Sequence, residues 1–411
     1  MPSGGKTRIL FLDALRGFAI LGIILANFPE FSLWTFQESA EAAALDTWGT
    51  DSVVRFLQYV FVDGKFYTLF SLLFGIGFSI ILRNAASRGA DGMKIFYRRM
   101  AGLLVIGILH LLFLWSGDIL MLYALMGMLL PPIRKLPSRK ILLFAIILLV
   151  LPILSDGICL MLGVSLSAPL ESAWWRCAEA NGITHGNFGT YLRDASTYQE
   201  VFRFLKQGAI ERMYEFVDAH RYFKVLGLFF IGYVLGREGI LTEVAKVRPA
   251  IKKVATLGIC AGLPLSVLYA WSATSGYPLG SLAHDVIYLL SVYPLAFGYG
   301  ALFILLSTRR NPGGSGFATK ALSYPGRMAC TNYIMQSVFG IIIFYGIGFG
   351  LGAGVSLTVT ELIALGVYSL QILLSMLWLK YFRFGPIEWV WRCFTYGKAF
   401  PLTLKKSQES Q

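Results

Sequence analysis

His110 and Asp118 are the pair whose types and spacing most suggest chemistry. They flank Trp115-Ser116-Gly117, a tight turn between two apolar runs, so the ends of those runs are forced together. A carboxylate beside an imidazole fixes its tautomer and raises its basicity, the usual arrangement of a general base. The competing reading is that Asp118 caps the second run through backbone N–H groups while His110 bonds a carbonyl. Asn27 ends the first apolar run on the same face, where its amide could hold a donor carbonyl or a developing oxyanion. In that scheme His110 is the base.

Further polar groups sit inside apolar runs, where a charge is costly unless paired or hydrated. Asp13 and Arg16 are spaced i, i+3, close enough to pair on one helical face. Asp63 and Lys65 fall in the second run, either as a structural pair or lining a polar cavity. Asn332 and Gln336 are i, i+4 and too polar to face lipid, so they should point into a bundle. Arg8, Asp13, Arg16 and Arg327 gather with them on the side opposite His110, and Trp115 and Tyr123 surround the His–Asp turn. Arginines at helix ends suit a phosphate-bearing ligand. Charge bias across a membrane would put the same residues there with no ligand at all. His220 and Arg221 read as a solvated helix end.

The elements that must position these groups are membrane helices. Apolar residues make up 56% of the 411 and charged residues only 14%, well below a soluble domain. Ten stretches approach membrane-spanning length: 9–28, 56–82, 95–114, 116–133, 141–163, 222–237, 252–272, 284–307, 327–349 and 360–382. The fourth and sixth are short. The first carries charges and lacks a small-residue cleavage site, so it is expected to remain as a helix. Lys and Arg alternate between loops in a way that puts both termini on the cytoplasmic side. The expectation is one all-α polytopic bundle over 1–411, with an outer loop at 164–221 inserted between spans five and six. Within that loop Phe202, Leu205, Ala209, Met213 and Phe216 recur at three or four, predicting an amphipathic helix that caps the bundle or forms a lid.

The net charge of +13 follows from that bias and from attraction to anionic lipid headgroups, so nucleic acid is not an expected partner. The five cysteines are scattered and no metal-ligand spacing occurs, so no metal is expected. Pro264 and Pro294 interrupt apolar runs, which can mark a transporter's midplane site. No Walker A loop, GxGxxG junction, HExxH or GxSxG is present.

Four blocks in order carry a family resemblance. They are Arg8 with Asp13-x-x-Arg16-Gly17 running on to Asn27, then His110 through Trp115, Asp118 and Tyr123 to Gly127. The other two are Gly326-Arg327-Met328-Ala329-Cys330-Thr331-Asn332-Tyr333-Ile334-Met335-Gln336-Ser337 and Gly385-Pro386-Ile387-Glu388-Trp389-Val390-Trp391-Arg392. Together they resemble the YeiB family (domain of unknown function 418) of bacterial membrane proteins. That family is distantly similar to transmembrane acyltransferases such as heparan-alpha-glucosaminide N-acetyltransferase. The resemblance implies a multi-pass protein of the bacterial inner membrane. It would move an acyl group from cytoplasmic acyl-CoA or acetyl-CoA to a small-molecule, glycan or lipid acceptor at the outer face. Membrane lipid is then a partner, and a homodimer is compatible with it. In those acyltransferases the catalytic His follows the Asn of the first span; here no His lies between Asn27 and span two, leaving His110 as the substitute. Export of a small metabolite or lipid-linked group is the alternative reading.

Overall fold

Apolar runs of twenty or more residues can satisfy their backbone in a membrane only as helices, and the chain is built accordingly. The computed structural model describes residues 10–46, 48–241, 244–308 and 316–404. The first helix, α1 (Leu10–Phe31), is followed by the short α2 (Ser39–Leu45), by α3 (Asp51–Phe61) and by α4 (Lys65–Ala86). Next come α5 (Gly92–Phe113), α6 (Leu120–Gly127), α7 (Leu130–Ile133) and α8 (Ser138–Leu162). The long loop holds α9 (Ala168–Ala180), α10 (Tyr191–Asp194) and α11 (Tyr198–Asp218), and α12 (Arg221–Arg237) returns to the bundle. The remainder is α13 (Val244–Thr274), α14 (Ser281–Ser307), α15 (Phe317–Arg327), α16 (Ala329–Phe344), α17 (Leu357–Tyr381) and α18 (Pro386–Tyr396).

Each of the ten expected stretches falls on a helix or a helix pair. Among the described residues seven segments are long and apolar enough to cross a membrane: α1, the α3–α4 pair, α5, α8, α13, α14 and α17. The α6–α7 pair and α16 are shorter apolar helices. Helix α12 has 17 residues and packs between α4 and α8.

Two expectations about continuity are corrected. Span two is not one helix from 56 to 82, because Gly64 adopts φ 74 between α3 and α4. Only glycine takes that conformation without cost, and a Cβ there would also sit 2.7 Å from the Tyr288 hydroxyl. Helices α13 and α14 run on through Pro264 and Pro294, so neither proline marks a broken helix.

The amphipathic helix of the outer loop exists as α11, opened by a capping box between Thr197 and Glu200. Its buried stripe is Val201, Leu205, Gly208, Arg212 and Phe216. Of the predicted line Leu205 and Phe216 are buried, while Phe202, Ala209 and Met213 are only half-buried, Phe202 stacking on Phe113 and Met213 packing against the core.

Helix α1 is central. It lies against α15 so closely that a Cβ on Gly17 would strike the Leu322 carbonyl and one on Gly326 the Asp13 carbonyl. Its other neighbours are α4, α14, α16 and α17. Asp51, at the start of α3, accepts from the Leu357 N–H at 2.8 Å and the Thr358 N–H at 2.9 Å, fixing the N-terminus of α17.

Candidate functional site

The turn between α5 and α6 brings His110 and Asp118 together. Nδ1 of His110 lies 2.9 Å from Oδ1 of Asp118, and neither side chain has any exposure. The other carboxylate oxygen, Oδ2, accepts from the Met121 N–H at 2.7 Å. Both readings of Asp118 are thus realised at once: it holds the imidazole and caps α6. A neutral ring that donates Nδ1–H to the carboxylate presents Nε2 as an acceptor, and Ser337 Oγ stands 2.8 Å from Nε2. The connectivity is that of a Ser–His–Asp relay. Ser337 is 1% exposed, however, and none of the three lines a cavity. Both ring nitrogens of His110 are engaged here, and Trp115, Gly117 and Tyr333 line the larger space that His110 itself does not reach. The relay braces α5, α6 and α16.

That space is a cavity of about 580 Å³ running beside α1 and α4. One end is basic, lined by Arg16, Arg99, Arg327, Arg383 and Arg392 with the carboxylates of Asp13 and Glu388. Its middle is aromatic and aliphatic, with Phe70, Phe74, Tyr123 and Ile23. The far end carries Asn27, Glu30, Asp63, Arg212, Arg221 and Lys224. Arg16 and Glu30 are fourteen residues apart on α1, about 21 Å along its axis.

At the basic end the carboxylates are already engaged. Asp13 takes a 2.8 Å hydrogen bond from Arg16, as the i, i+3 spacing predicts. Glu388, from α18, accepts from the N–H groups of Cys330 and Thr331 at 2.7 and 3.0 Å and from the Thr331 hydroxyl at 2.5 Å. It caps α16 and does not neutralise the arginines. Arg99 lies 3.8 Å over the Trp391 ring, and Arg392 is ringed by Phe384, Tyr396 and Phe400. A cluster so built can receive a polyphosphate.

At the far end Arg212 is fixed by the Ser116 carbonyl at 2.7 Å and by Glu215 at 2.5 Å, with Glu30 farther off at 3.6 Å. Trp115 stacks on Phe31 at 4.3 Å and forms part of the wall. On α11, burial first, and then Glu215, push the Glu211 carboxyl up to about 8 against the pull of Arg212.

Other residues singled out in the sequence take structural places. Asn332 donates to Ser375 Oγ at 2.9 Å, while Gln336 donates to Gln371 at 3.1 Å. They zip α16 to α17 inside the bundle, as their spacing implies, but neither reaches the cavity. Asp63 lines the cavity and accepts from the Tyr269 hydroxyl at 2.5 Å. Lys65 does not pair with it directly: its buried ammonium donates to the Tyr59 carbonyl at 2.5 Å and lies over the Tyr269 ring. Tyr123 lines the cavity and bonds Ser71 at 2.6 Å. His220 is buried, not solvated, with Nε2 2.7 Å from Asp156. Arg8 lies outside the described residues.

The comparisons with known proteins agree with this frame. Residues 235–398 match a family model described as protein of unknown function (DUF418). The chain is 30% identical over 98% of both chains to the protein named uncharacterized protein YxaH of Bacillus subtilis (strain 168). The chain belongs to the YeiB (DUF418) family. It is also 29% identical, over 98% of its length and the whole of the relative, to uncharacterized protein YeiB of Escherichia coli (strain K12). A third family relative, an uncharacterized 39.9 kDa protein in the amylase 3' region of Bacillus acidopullulyticus, is 30% identical over 99% of each chain. This YeiB-family chain is a multi-pass helical membrane protein.

Sequence reasoning missed Arg99, Arg383, Arg392, Glu30, Arg212 and Ser337. Arg99 and Arg383 look in the sequence like ordinary charge beside membrane spans, Arg392 stands only as the last residue of a family block, and Arg212 sits on an amphipathic helix with other charged residues. Glu30 had one signal, its i, i+3 spacing from Asn27 on α1.

Proposed function

We propose that this protein is an acyltransferase-like enzyme of the bacterial cytoplasmic membrane, taking acyl-CoA from the cytoplasm and delivering the acyl group to an acceptor at the outer face. The observation that carries the reading is the single cavity with five arginines at one end, an apolar middle and polar, chemically usable groups at the other. The arginines bind the donor's phosphates. The aromatic middle takes its arm and acyl chain. Asn27, whose amide has no hydrogen-bond partner among the described residues, faces the reacting carbonyl. His110, Asp118 and Ser337 act as positioning residues that hold Trp115 and Tyr333 in the wall. Acceptor classes that fit an outer polar end are glycans, lipids and small molecules carrying a hydroxyl or amine.

The purified full chain should release CoA thiol from acetyl-CoA, and Arg99→Ala with Arg383→Ala should raise the donor KM more than they lower kcat. A transporter of an amphipathic anion is the second reading. It is favoured by one feature, the cations Arg212, Arg221 and Lys224 at the far end as well. Flux driven by a substrate gradient, with no loss of the thioester, would select it.

A further inference from the structure

Beside the far end of the main cavity lies a second chamber of about 180 Å³, under α11. Glu30, Trp115 and Arg212 line both spaces. The rest of its wall includes the hydroxyl-bearing Thr35 and Ser116 and the carboxylates of Glu211 and Glu215. Resting on the acyl-transfer reading, we propose that Glu30 is the proton acceptor of the transfer and that this chamber seats the acceptor as a hydroxyl or an amine.

The position of Glu30 singles it out. It stands one helical turn beyond Asn27 on α1, so both side chains project to the same cavity end. Arg212 spends its short contacts on Ser116 and Glu215, which leaves it 3.6 Å from the Glu30 carboxylate. No hydrogen-bond donor among the described residues reaches that carboxylate. Glu30 therefore keeps lone pairs for a ligand, beside a guanidinium that does not cover it. Glu30 lines both spaces, where a base must stand to serve an acceptor on one side and a thioester on the other. The acidic side chains Glu30, Glu211 and Glu215 outnumber the one guanidinium of the chamber, Arg212, so it favours a neutral hydroxyl compound or an amine over an anion.

The step balances with no further reactant. Glu30 takes the proton of the acceptor O–H or N–H as its lone pair forms the bond to the thioester carbonyl carbon. The oxyanion so formed is met by the Asn27 amide N–H. Collapse breaks the C–S bond, and the Glu30 proton passes to the departing sulfur. The products are the acylated acceptor and CoA thiol, with the carboxylate restored.

The test uses the full chain in nanodiscs, acetyl-CoA as donor, ethanolamine as a small acceptor carrying both a hydroxyl and an amine, and thiol release above the protein-free rate as the readout. Glu30→Gln should cut turnover by about 10²–10⁴-fold while acetyl-CoA binding, measured separately, is unchanged. Glu30→Asp should retain an intermediate rate and guards against a folding defect in the glutamine variant. The acidic limb of the wild-type pH–rate profile should vanish in Glu30→Gln. Turnover in Glu30→Gln within about threefold of wild type overturns this assignment and leaves acyl transfer standing. Wild-type protein that binds acetyl-CoA yet releases no thiol overturns both.

Discussion

Ser337 Oγ and His110 Nε2 stand 2.8 Å apart although 227 residues separate them in the chain. With Asp118 on the other ring nitrogen, this contact ties α5, α6 and α16 together. A buried, fully satisfied polar chain specifies one arrangement of helices, because every alternative leaves a donor or carboxylate unmet.

His110→Ala should consequently act on the fold first. Removing one partner of a buried hydrogen-bonded charge leaves the Asp118 carboxylate with only the Met121 N–H, a loss of about 3–5 kcal/mol. Ser337→Ala should cost about 1 kcal/mol. Thermal unfolding in detergent checks the order. A His110→Ala protein as stable as wild type, but without turnover, would return His110 to the chemistry.

The basic end should govern donor affinity. Each arginine that makes a charge-assisted bond to phosphate contributes about 1.5–3 kcal/mol, so Arg99→Ala or Arg383→Ala should weaken acetyl-CoA binding about 10- to 100-fold. Dephospho-CoA should bind more weakly than CoA, and the difference should shrink in these variants. Equal affinity for both in wild type would mean that the arginines meet no 3'-phosphate.

Asp13 and Arg16 form a testable pair at the same end. Asp13→Ala and Arg16→Ala should each lower thermal stability. The double variant should lose less than the two separate losses combined, since the 2.8 Å contact is counted in both. Strict additivity would show that the pair is not coupled.

Glu211 gives the outer cap a pH dependence. Its carboxyl is raised from 4.5 to about 8, chiefly by burial, so between those values the folded protein holds a proton that the unfolded chain has lost. Stability should then fall as pH rises from about 4.5 to about 8 and level off above. Glu211→Gln should flatten this limb of the Tm–pH curve. A wild-type Tm that climbs across that range would contradict the shift.

Much of the frame was legible because membrane burial writes itself into long apolar runs, and α1, α5, α8, α13, α14 and α17 lie where those runs lie. The His110–Asp118 approach was legible because a three-residue turn leaves little freedom. The break at Gly64 was not, since a glycine inside an apolar run gives no sign of its positive φ, and the Tyr288 hydroxyl that leaves no room for a Cβ there is more than two hundred residues away. Nor was the inward turn of Arg212: on α11 its charge looked like part of a solvated face, and only the Ser116 carbonyl and Glu215 bring it inside. Ser337 carries no spacing signal at all. Its partner is set by the packing of α16 on α5.

The most direct test of the central claim is sided turnover in proteoliposomes of uniform orientation, with acetyl-CoA added to one face and CoA thiol measured on each. The account predicts thiol only when the donor is supplied on the face where Arg99 and Arg383 open, appearing on that same face while the acetyl group is recovered on an acceptor at the other. Acetyl-CoA that is neither bound nor cleaved from that face, alongside gradient-driven passage of an intact solute, would contradict it.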